Sequence, residues 1–500
     1  MYLNNLALLK TTLGNADAAL RVFLQKRGEK MIKFGTGGWR DIIADGFTKE
    51  NIRLLTAGLC VLMQKEGHGG ATICLGYDRR FLSKESMFWA AEVLAGYGFR
   101  PYVINRSVPT PLIMFTVKQM GLPYGMAVTA SHNPAIYNGI KVFTAGGRDA
   151  DKTVTQKIEE EIAKMQSADV KSIPYADALA SGIIREGYPF NEYVDSILSL
   201  VDTEKIRQSH LKIAIDPMYG VGLNSLRTIL LTSRCDIDVL HEQHDTLFGG
   251  RMPAPSADAL KLLSNYVVDN RCHLGIAMDG DADRLGVIDE YGRYLHANTV
   301  LVLLYYYFLQ YRNWRGPCVR NNSTTHLLDR VAADFGQECY EVPVGFKYVS
   351  AKMAETNAII GGESSGGLAV KGHIPGKDGI YAASLLVETL AVTGKSIGEL
   401  YREIIQKYGM LYYEESSLKM PHERKQDLHE LIFHSHQIPS FAETINCIDW
   451  TDGCKVSFED GSWVICRFSG TEPLLRIAAE GNTLHQTRNY IQKWESFLKQ

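Results

Sequence analysis

Three carboxylates alternate with small residues in Asp279-Gly280-Asp281-Ala282-Asp283, and Arg284 follows at once. That spacing lets three hard oxygen ligands converge on one cation. Magnesium takes oxygen ligands in near-octahedral geometry and completes its shell with water and phosphate. Without a cation the three charges would repel one another, and Arg284 could hold an anion beside the metal. The competing reading is a solvated acidic turn, which the apolar stretches on both sides disfavour. A calcium loop of the EF-hand kind is disfavoured because no flanking helices are evident.

Ser131 lies in Thr129-Ala-Ser-His-Asn-Pro134, after the apolar stretch 125–128. Asn133-Pro134 turns the chain out of the sheet, so the serine sits exposed at a strand end, where loops position reactive groups. A serine hydroxyl needs a base, a metal or a charged neighbour before it attacks anything. No G-x-S-x-G elbow surrounds it, which argues against an acyl-enzyme hydrolase. By itself the segment reads as an ordinary turn; beside a carboxylate metal loop it reads as a phosphoserine ligating the metal.

A third segment, Arg467-Phe-Ser-Gly-Thr-Glu-Pro-Leu-Leu-Arg476, gathers donors. The hydroxyls of Ser469 and Thr471, the N–H groups around Gly470 and the guanidiniums of Arg467 and Arg476 make a set of the kind that binds phosphate. Glu363 and Ser365, in Gly362-Glu-Ser-Ser-Gly366, pair a carboxylate with a hydroxyl between glycines that let backbone approach a ligand. That pairing suits sugar hydroxyls, although a tight turn explains it equally well.

The elements that must carry these loops follow from the pattern between them. Five hundred residues exceed one hydrophobic core, so three or four domains are expected. Short apolar strands alternate with longer helical stretches, the mark of α/β units with largely parallel strands. One plan recurs three times: an opening strand, a stretch with a proline signal, a third strand ending in a polar loop, and a returning strand. Its segments are 71–76, 108–111, 125–129 and 139–143; then 211–216, 252–253, 274–278 and 285–288; then 318–320, 342–343, 358–361 and 368–370. The loops at 129–134, 279–284 and 362–366 each follow a third strand, and ligands in open α/β sheets bind outside the carboxyl ends of strands. Three equivalent loops imply three walls of one cleft. From about residue 411 the chain reads as a small α+β domain, with helices at 422–436 and 483–499, and the donor-rich loop follows its strand 463–468. A helical period over residues 6–25 predicts a leading helix.

Composition limits the rest. The apolar fraction is 45% and the charged fraction 22%, values of an average globular protein. The formal charge of -3, from 53 basic and 56 acidic residues, supplies no attraction for nucleic acid or anionic membranes. The apolar run at 300–309 falls short of the ~20 residues of a membrane helix and predicts a buried core helix. Nine cysteines without C-x-x-C spacing fit a reducing compartment, with thiols acting as small hydrophobes. No signal peptide is evident at the N-terminus. A cytoplasmic protein, monomer or homodimer, is expected.

Taken together, T-A-S-H-N-P, D-G-D-A-D-R, G-E-S-S-G and R-F-S-G-T-E-P resemble the motifs of the α-D-phosphohexomutases, the family of phosphoglucomutase and phosphomannomutase, in the family's order and over residues 34–476. The resemblance implies a heart-shaped α/β enzyme of four domains around a central cleft: three similar α/β domains at 1–190, 191–298 and 299–410, and an α+β domain at 411–500. It implies that Ser131 carries the phosphoryl group. Asp279, Asp281 and Asp283 would hold Mg2+ with the phosphoserine oxygen, and Arg284 would lie beside that phosphate. Glu363 and Ser365 would grip sugar hydroxyls, and Arg467, Ser469, Gly470 and Thr471 would hold the non-reacting phosphate. Lys141, in Asn-Gly-Ile-Lys141, resembles a lysine of proton transfer, and Arg40, in Gly-Gly-Trp-Arg40, an arginine near the serine. His132 serves as proton carrier or only orients the nucleophile, and Lys347 resembles another cleft residue. Some dual-specificity relatives place a histidine directly after the sugar-loop glycine; here that place is Gly367, and the nearest histidine, His373, is the substrate-binding candidate. The activity implied converts a hexose 1-phosphate, of glucose or mannose, to its 6-phosphate, primed by a hexose 1,6-bisphosphate. The same mechanism on an amino-sugar or pentose phosphate is the alternative; a silent binding protein or a simple phosphatase fits less well.

Overall fold

The computed structural model describes residues 32–35, 37–419, 422–468 and 474–499. The leading helix expected at 6–25 and the loop residues Ser469, Gly470 and Thr471 lie outside the described residues.

The threefold plan read from the sequence becomes three sheets with one strand order. In the first, Tyr137–Thr144, Tyr124–Val128, Thr72–Tyr77 and Arg100–Ser107 lie side by side. In the second the order is Leu285–Ile288, Leu274–Met278, Lys212–Asp216 and Asp236–Val239; in the third it is Leu368–Val370, Ile360–Gly362, Cys318–Asn321 and Cys339–Val342. Each sheet thus runs returning, third, opening and second strand. The last three are parallel and the returning strand is antiparallel. Extra strands extend the first two sheets, among them Trp39–Ile42, which pairs antiparallel with the returning strand Tyr137–Thr144 and brings Arg40 opposite Gly139. Central strands such as Tyr124–Val128 and Leu274–Met278 are buried at every residue, which is why they read as unbroken apolar runs rather than alternating ones.

The fourth sheet is antiparallel throughout, in the order Tyr412–Lys419, Leu474–Gly481, Trp463–Phe468, Cys454–Phe458 and Ile445–Asp449. Helix Leu484–Phe497, capped by the Thr483 hydroxyl accepting from the Gln486 N–H, closes over it with Tyr490 and Trp494 buried. The helix expected over 422–436 stops at His429 and widens into a π-turn over Glu430–His434.

The apolar run at 300–309 is buried along its whole length inside helix Ala297–Gln310, which packs against Gly379–Thr393. These two helices belong to an apolar core that reaches from Val108 and Leu112 of the first sheet's domain to Leu400 and Leu411. No single helix among the described residues is long and apolar enough to cross a membrane. A continuous core beneath three sheets fixes their loop-bearing ends relative to one another. The fourth domain has its own core, including Val464, Tyr490 and Trp494.

Candidate active site

Ser131 stands in the left-handed region at φ 50°, a conformation a non-glycine residue keeps only when its surroundings hold it. The restraints are legible. The Thr129 hydroxyl accepts from the Ser131 N–H at 2.9 Å and donates to Asp78 Oδ2 at 2.7 Å. Arg80, itself 3% exposed, donates through Nη2 to the carbonyls of Ser131 (2.6 Å) and Asn133 (2.7 Å), and through Nη1 to those of Pro134 (2.9 Å) and Tyr137 (3.1 Å). One guanidinium thereby satisfies four carbonyls of the loop, with its face over the Phe248 ring. The serine hydroxyl is left to donate to Asp279 Oδ2 at 2.6 Å, and His132 Nδ1 lies 3.4 Å from the same serine oxygen.

The aspartate loop meets this serine from the second domain. A Cβ on Gly280 would come within 2.6 Å of the Ser131 carbonyl, so glycine is what lets the two loops touch. Asp279, Asp281 and Asp283 are all buried, with one oxygen of each within 4.8 Å of the others. Burial first, and then the charges of Asp281 and Asp283, push the Asp279 carboxyl up to about 7. For Asp283 burial acts in the same direction, but Lys141, Lys377 and Arg284 outweigh it and hold the carboxyl well below its ordinary range. Asp281 is likewise lowered, against burial and Asp283, chiefly by Lys141.

Lys141 Nζ donates to Asp281 Oδ2 at 2.6 Å and Asp283 Oδ2 at 2.7 Å, and Lys377 Nζ lies 2.8 Å from Asp283 Oδ2. The Oδ1 atoms of Asp281 and Asp283 are buried without any hydrogen-bond partner. Three converging carboxylates, two of them with an unsatisfied oxygen, match the donor set of a hard divalent cation such as Mg2+. A phosphoryl oxygen on Ser131 would extend that set, because the hydroxyl already touches Asp279.

Positive groups surround the serine. Arg40 Nη1 donates to Asn133 Oδ1 at 2.7 Å, fixing the loop from the side strand. The Arg284 N–H donates to Asp279 Oδ1 at 3.0 Å, and its buried Nε, 3.9 Å from Asp283 Oδ1, has no hydrogen-bond partner. Burial, then Arg284 and Arg40, drive the His132 imidazole well below its usual range, which keeps it neutral.

Across the cleft Glu363 Oε1 accepts from Asn321 Nδ2 (3.2 Å) and the Gly345 N–H (2.9 Å). Ser365 is exposed and lines a cavity of about 80 Å³ with Asn321, Ser323, Ser364, Arg467 and Arg476. Arg467 and Arg476 stand opposite each other on paired strands. Like charges so placed repel, which Asp452 relieves at Arg467 from 3.4 Å and an anionic group between them would relieve further.

Two candidates fall elsewhere. Lys347 lines a larger cavity, about 620 Å³, on the seam between the first and third domains, with Tyr124, Arg148 and Asp149. His373 lies at the edge of another cavity, about 330 Å³, which Lys118, Arg148 and Ser350 also line. Its ring is 3% exposed, bonds Asp378 through Nε2 at 2.9 Å, and lies among the rings of Phe115, Tyr193 and Tyr381. The imidazole thereby braces Asp378, the cap of helix Gly379–Thr393. The sequence reading missed Arg80 and Lys377. Their signals were present, Asp78-Arg-Arg80 after an opening strand and Gly376-Lys-Asp-Gly379 before a helix, but each acts on a loop distant in sequence.

Comparison with known proteins agrees with this architecture. Residues 31–169, 191–292 and 296–408 match the alpha/beta/alpha domains I, II and III of phosphoglucomutase/phosphomannomutase, and residues 424–493 match its C-terminal domain. A phosphoglucomutase/phosphomannomutase of Thermococcus kodakarensis is 30% identical over 92% of this chain and 96% of its own. A phosphoglucosamine/phosphogalactosamine mutase of Sulfurisphaera tokodaii is 30% identical over 93% and 99%. Among solved structures, a Thermus thermophilus protein assigned as a phosphomannomutase superposes with a TM-score of 0.82 at 26% identity, covering 94% of this chain and all of that one. The chain belongs to the phosphoglucomutase/phosphomannomutase family, the α-D-phosphohexomutases, and is an intramolecular phosphotransferase.

Proposed function

We propose that the enzyme interconverts hexose 1-phosphate and hexose 6-phosphate, with glucose or mannose as the sugar, through a phosphoserine at Ser131. The observation that carries this reading is the contact of the Ser131 hydroxyl with Asp279, beside two partnerless carboxylate oxygens and opposite a cavity lined by Ser365, Arg467 and Arg476. In phosphoryl transfer the protein chiefly positions groups and offsets charge.

The phosphorylated Ser131 faces the free hydroxyl of a bound hexose monophosphate. The P–O bond to the serine breaks as one to the sugar hydroxyl forms, and that hydroxyl loses its proton to a neighbouring base. Neutral His132, beside Ser131 Oγ, suits the acceptor, whereas Lys141 and Arg40, the other proton-transfer candidates, already donate to Asp281, Asp283 and Asn133 and suit the return of a proton. The hexose 1,6-bisphosphate then turns over in the cleft and returns its other phosphate to Ser131. A free hexose 1,6-bisphosphate primes unphosphorylated enzyme. Mg2+ held by Asp279, Asp281, Asp283 and the phosphoserine would neutralise charge on the transferring group. Arg284 adds positive charge beside the aspartates. Glu363 and Ser365 hold sugar hydroxyls, while Arg467 and Arg476, with Ser469, Gly470 and Thr471, hold the phosphate that does not react.

A second reading keeps the mechanism and changes the sugar, since relatives named for glucosamine phosphate match over as much of the chain as those named for glucose and mannose. Parallel rates on glucose, mannose, glucosamine and ribose 1-phosphates, with magnesium and a bisphosphate primer, test both. The neutral hexoses are expected to turn over fastest; a faster rate on glucosamine 1-phosphate moves the assignment to amino sugars. Net release of inorganic phosphate in place of isomer would make the protein a phosphatase.

A further inference from the structure

Asp452 joins the fourth domain to both segments that hold Glu363. It stands in the turn between strands Ile445–Asp449 and Cys454–Phe458. Its Oδ2 accepts from the Val344 N–H at 2.7 Å, and its carbonyl accepts from Asn322 Nδ2 at 3.4 Å. Val344 and Asn322 are the chain neighbours of Gly345 and Asn321, the two residues that donate to Glu363 Oε1. Each support of Glu363 is thus one residue away from a bond to Asp452.

The same side chain meets Arg467. Arg467 Nη2 donates to Asp452 Oδ1 at 3.4 Å, and its Nε lies 3.4 Å from Oδ2 without a hydrogen bond of its own. The carboxylate therefore faces the Nε–Nη2 edge of the guanidinium and leaves Nη1 to another partner. Backbone packing keeps the two residues together. Gly453 has φ 98°, and a Cβ there would come within 2.7 Å of Arg467 Cβ and of the Cys466 carbonyl. Glycine is what lets the turn lie against Arg467.

These contacts surround the cavity of about 80 Å³, which Asn321, Val344 and Ser365 line from the third domain and Arg467 and Arg476 from the fourth. A substrate held at its phosphate by one domain and at its sugar by the other is placed by the spacing of the two grips. That spacing decides where its reacting hydroxyl stands. Asp452 bonds directly to Arg467 and to the neighbours of both Glu363 supports, so it is the side chain that ties the grips together.

We propose that Asp452 is a positioning residue of the mutase reaction, setting Arg467 at a fixed spacing from Glu363 so that a bound hexose monophosphate presents its free hydroxyl to Ser131. The proposal rests on the reading of Arg467 as the phosphate grip and of Glu363 as the sugar grip. Without the Asp452 charge, Arg467 still offers its full charge to phosphate, so ground-state binding is kept. Alignment is what is lost. A misplacement of ~1 Å at a reacting group costs up to about 10²-fold in rate, and it falls on kcat rather than on KM.

The test is steady-state kinetics of full-length Asp452→Asn with magnesium, saturating bisphosphate primer and whichever of the four sugar 1-phosphates turns over fastest. Asparagine keeps an acceptor for the Val344 N–H and removes the charge that faces Arg467. The expected result is a kcat about ten-fold lower with KM within about two-fold of the parent. A double-mutant cycle carries the assignment: in an Arg467→Ala background, Asp452→Asn is expected to lower kcat by less than about two-fold more. Asp452→Glu, which keeps the charge one methylene further out, is the second variant and is expected to recover part of the lost kcat. An unchanged kcat, a rise in KM alone, additive losses in the cycle, or no recovery with glutamate would overturn the proposal. Failure of the grip reading shows separately, as unchanged kcat and KM in Arg467→Ala or Glu363→Gln alone.

Discussion

At the scale of single residues, the site is governed by where charge is left uncompensated. Asp281 and Asp283 each give one oxygen to Lys141 and keep the other without a partner, and Ser131 spends its proton on Asp279. A serine so placed would lend its oxygen to phosphate with positive charge on several sides: Arg284, Arg40 and the cation the carboxylates fit. Removing that oxygen removes the covalent step while the rest of the cleft stays intact. Ser131→Ala is therefore expected to lower kcat by about 10³-fold or more while binding of hexose phosphate changes little. Turnover in the presence of bisphosphate primer, together with calorimetric binding of glucose 6-phosphate, measures both halves. A near-native rate in the variant would remove the phosphoserine from the mechanism.

At the scale of elements, the loop that carries Ser131 is held from a different strand end. Arg80 follows the opening strand Thr72–Tyr77 and supplies the donors for four carbonyls of the loop after the third strand. Lysine at that position keeps the charge but has no planar fork, and cannot reach four acceptors at once. Arg80→Lys is expected to cost about 2 kcal/mol or more in stability, since buried carbonyls lose partners. It should also lower kcat by roughly ten-fold or more at nearly constant KM, because a nucleophile off its line of attack reacts slowly while substrate still binds. Partial recovery of kcat on adding guanidinium salt to Arg80→Ala would separate this positioning from general damage; equal loss in kcat and KM without recovery would count against it. The contrast between Ser131 and Arg80 shows what was legible beforehand. Loops whose chemistry is contained in a few consecutive residues, such as 279–284, announced themselves, and the threefold strand plan emerged because buried strands read as apolar runs. Arg80 and Lys377 act only through contacts between segments far apart in the chain, which spacing alone does not reveal. His373 shows the converse: nearness in sequence to the Glu363 loop suggested a ligand, and its packing among three aromatic rings and its bond to Asp378 could not be read from that spacing.

At the scale of the whole molecule, the fourth domain has its own core and is joined to the third largely through polar contacts. The Val344 N–H donates to Asp452 at 2.7 Å, the His326 N–H to Glu480 at 2.8 Å, and Lys455 to Glu341 at 2.6 Å. Asp452 also pairs with Arg467, so the seam links the turn that holds Glu363 to Arg467 of the cavity opposite. The His326 ring sits in the middle of this seam, accepting from Lys455 Nζ at 3.2 Å, 3.7 Å from Glu341, and against the Trp463 ring. Burial lowers the affinity of that ring for a proton. Glu341 and Asp329 favour the proton, while Arg320 and Lys455 oppose it, and the net direction is downward. A histidine whose folded value is depressed binds more protons when the seam is unfolded. Its contribution is therefore fully present above the ordinary value near pH 6.5 and is lost as pH falls from there towards the depressed one. The protonated ring would also lose its acceptor nitrogen and face Lys455 as a like charge. Acidification from about pH 7 to 5 is thus expected to loosen the fourth domain before the other three. Limited proteolysis followed by mass spectrometry should show cuts near residue 411 appearing first at the acid end of that range. His326→Gln, which keeps an acceptor for Lys455 but cannot take up a proton, should flatten the response. If variant and parent are cut identically at every pH, the acid sensitivity belongs to another group and the seam is not set by His326.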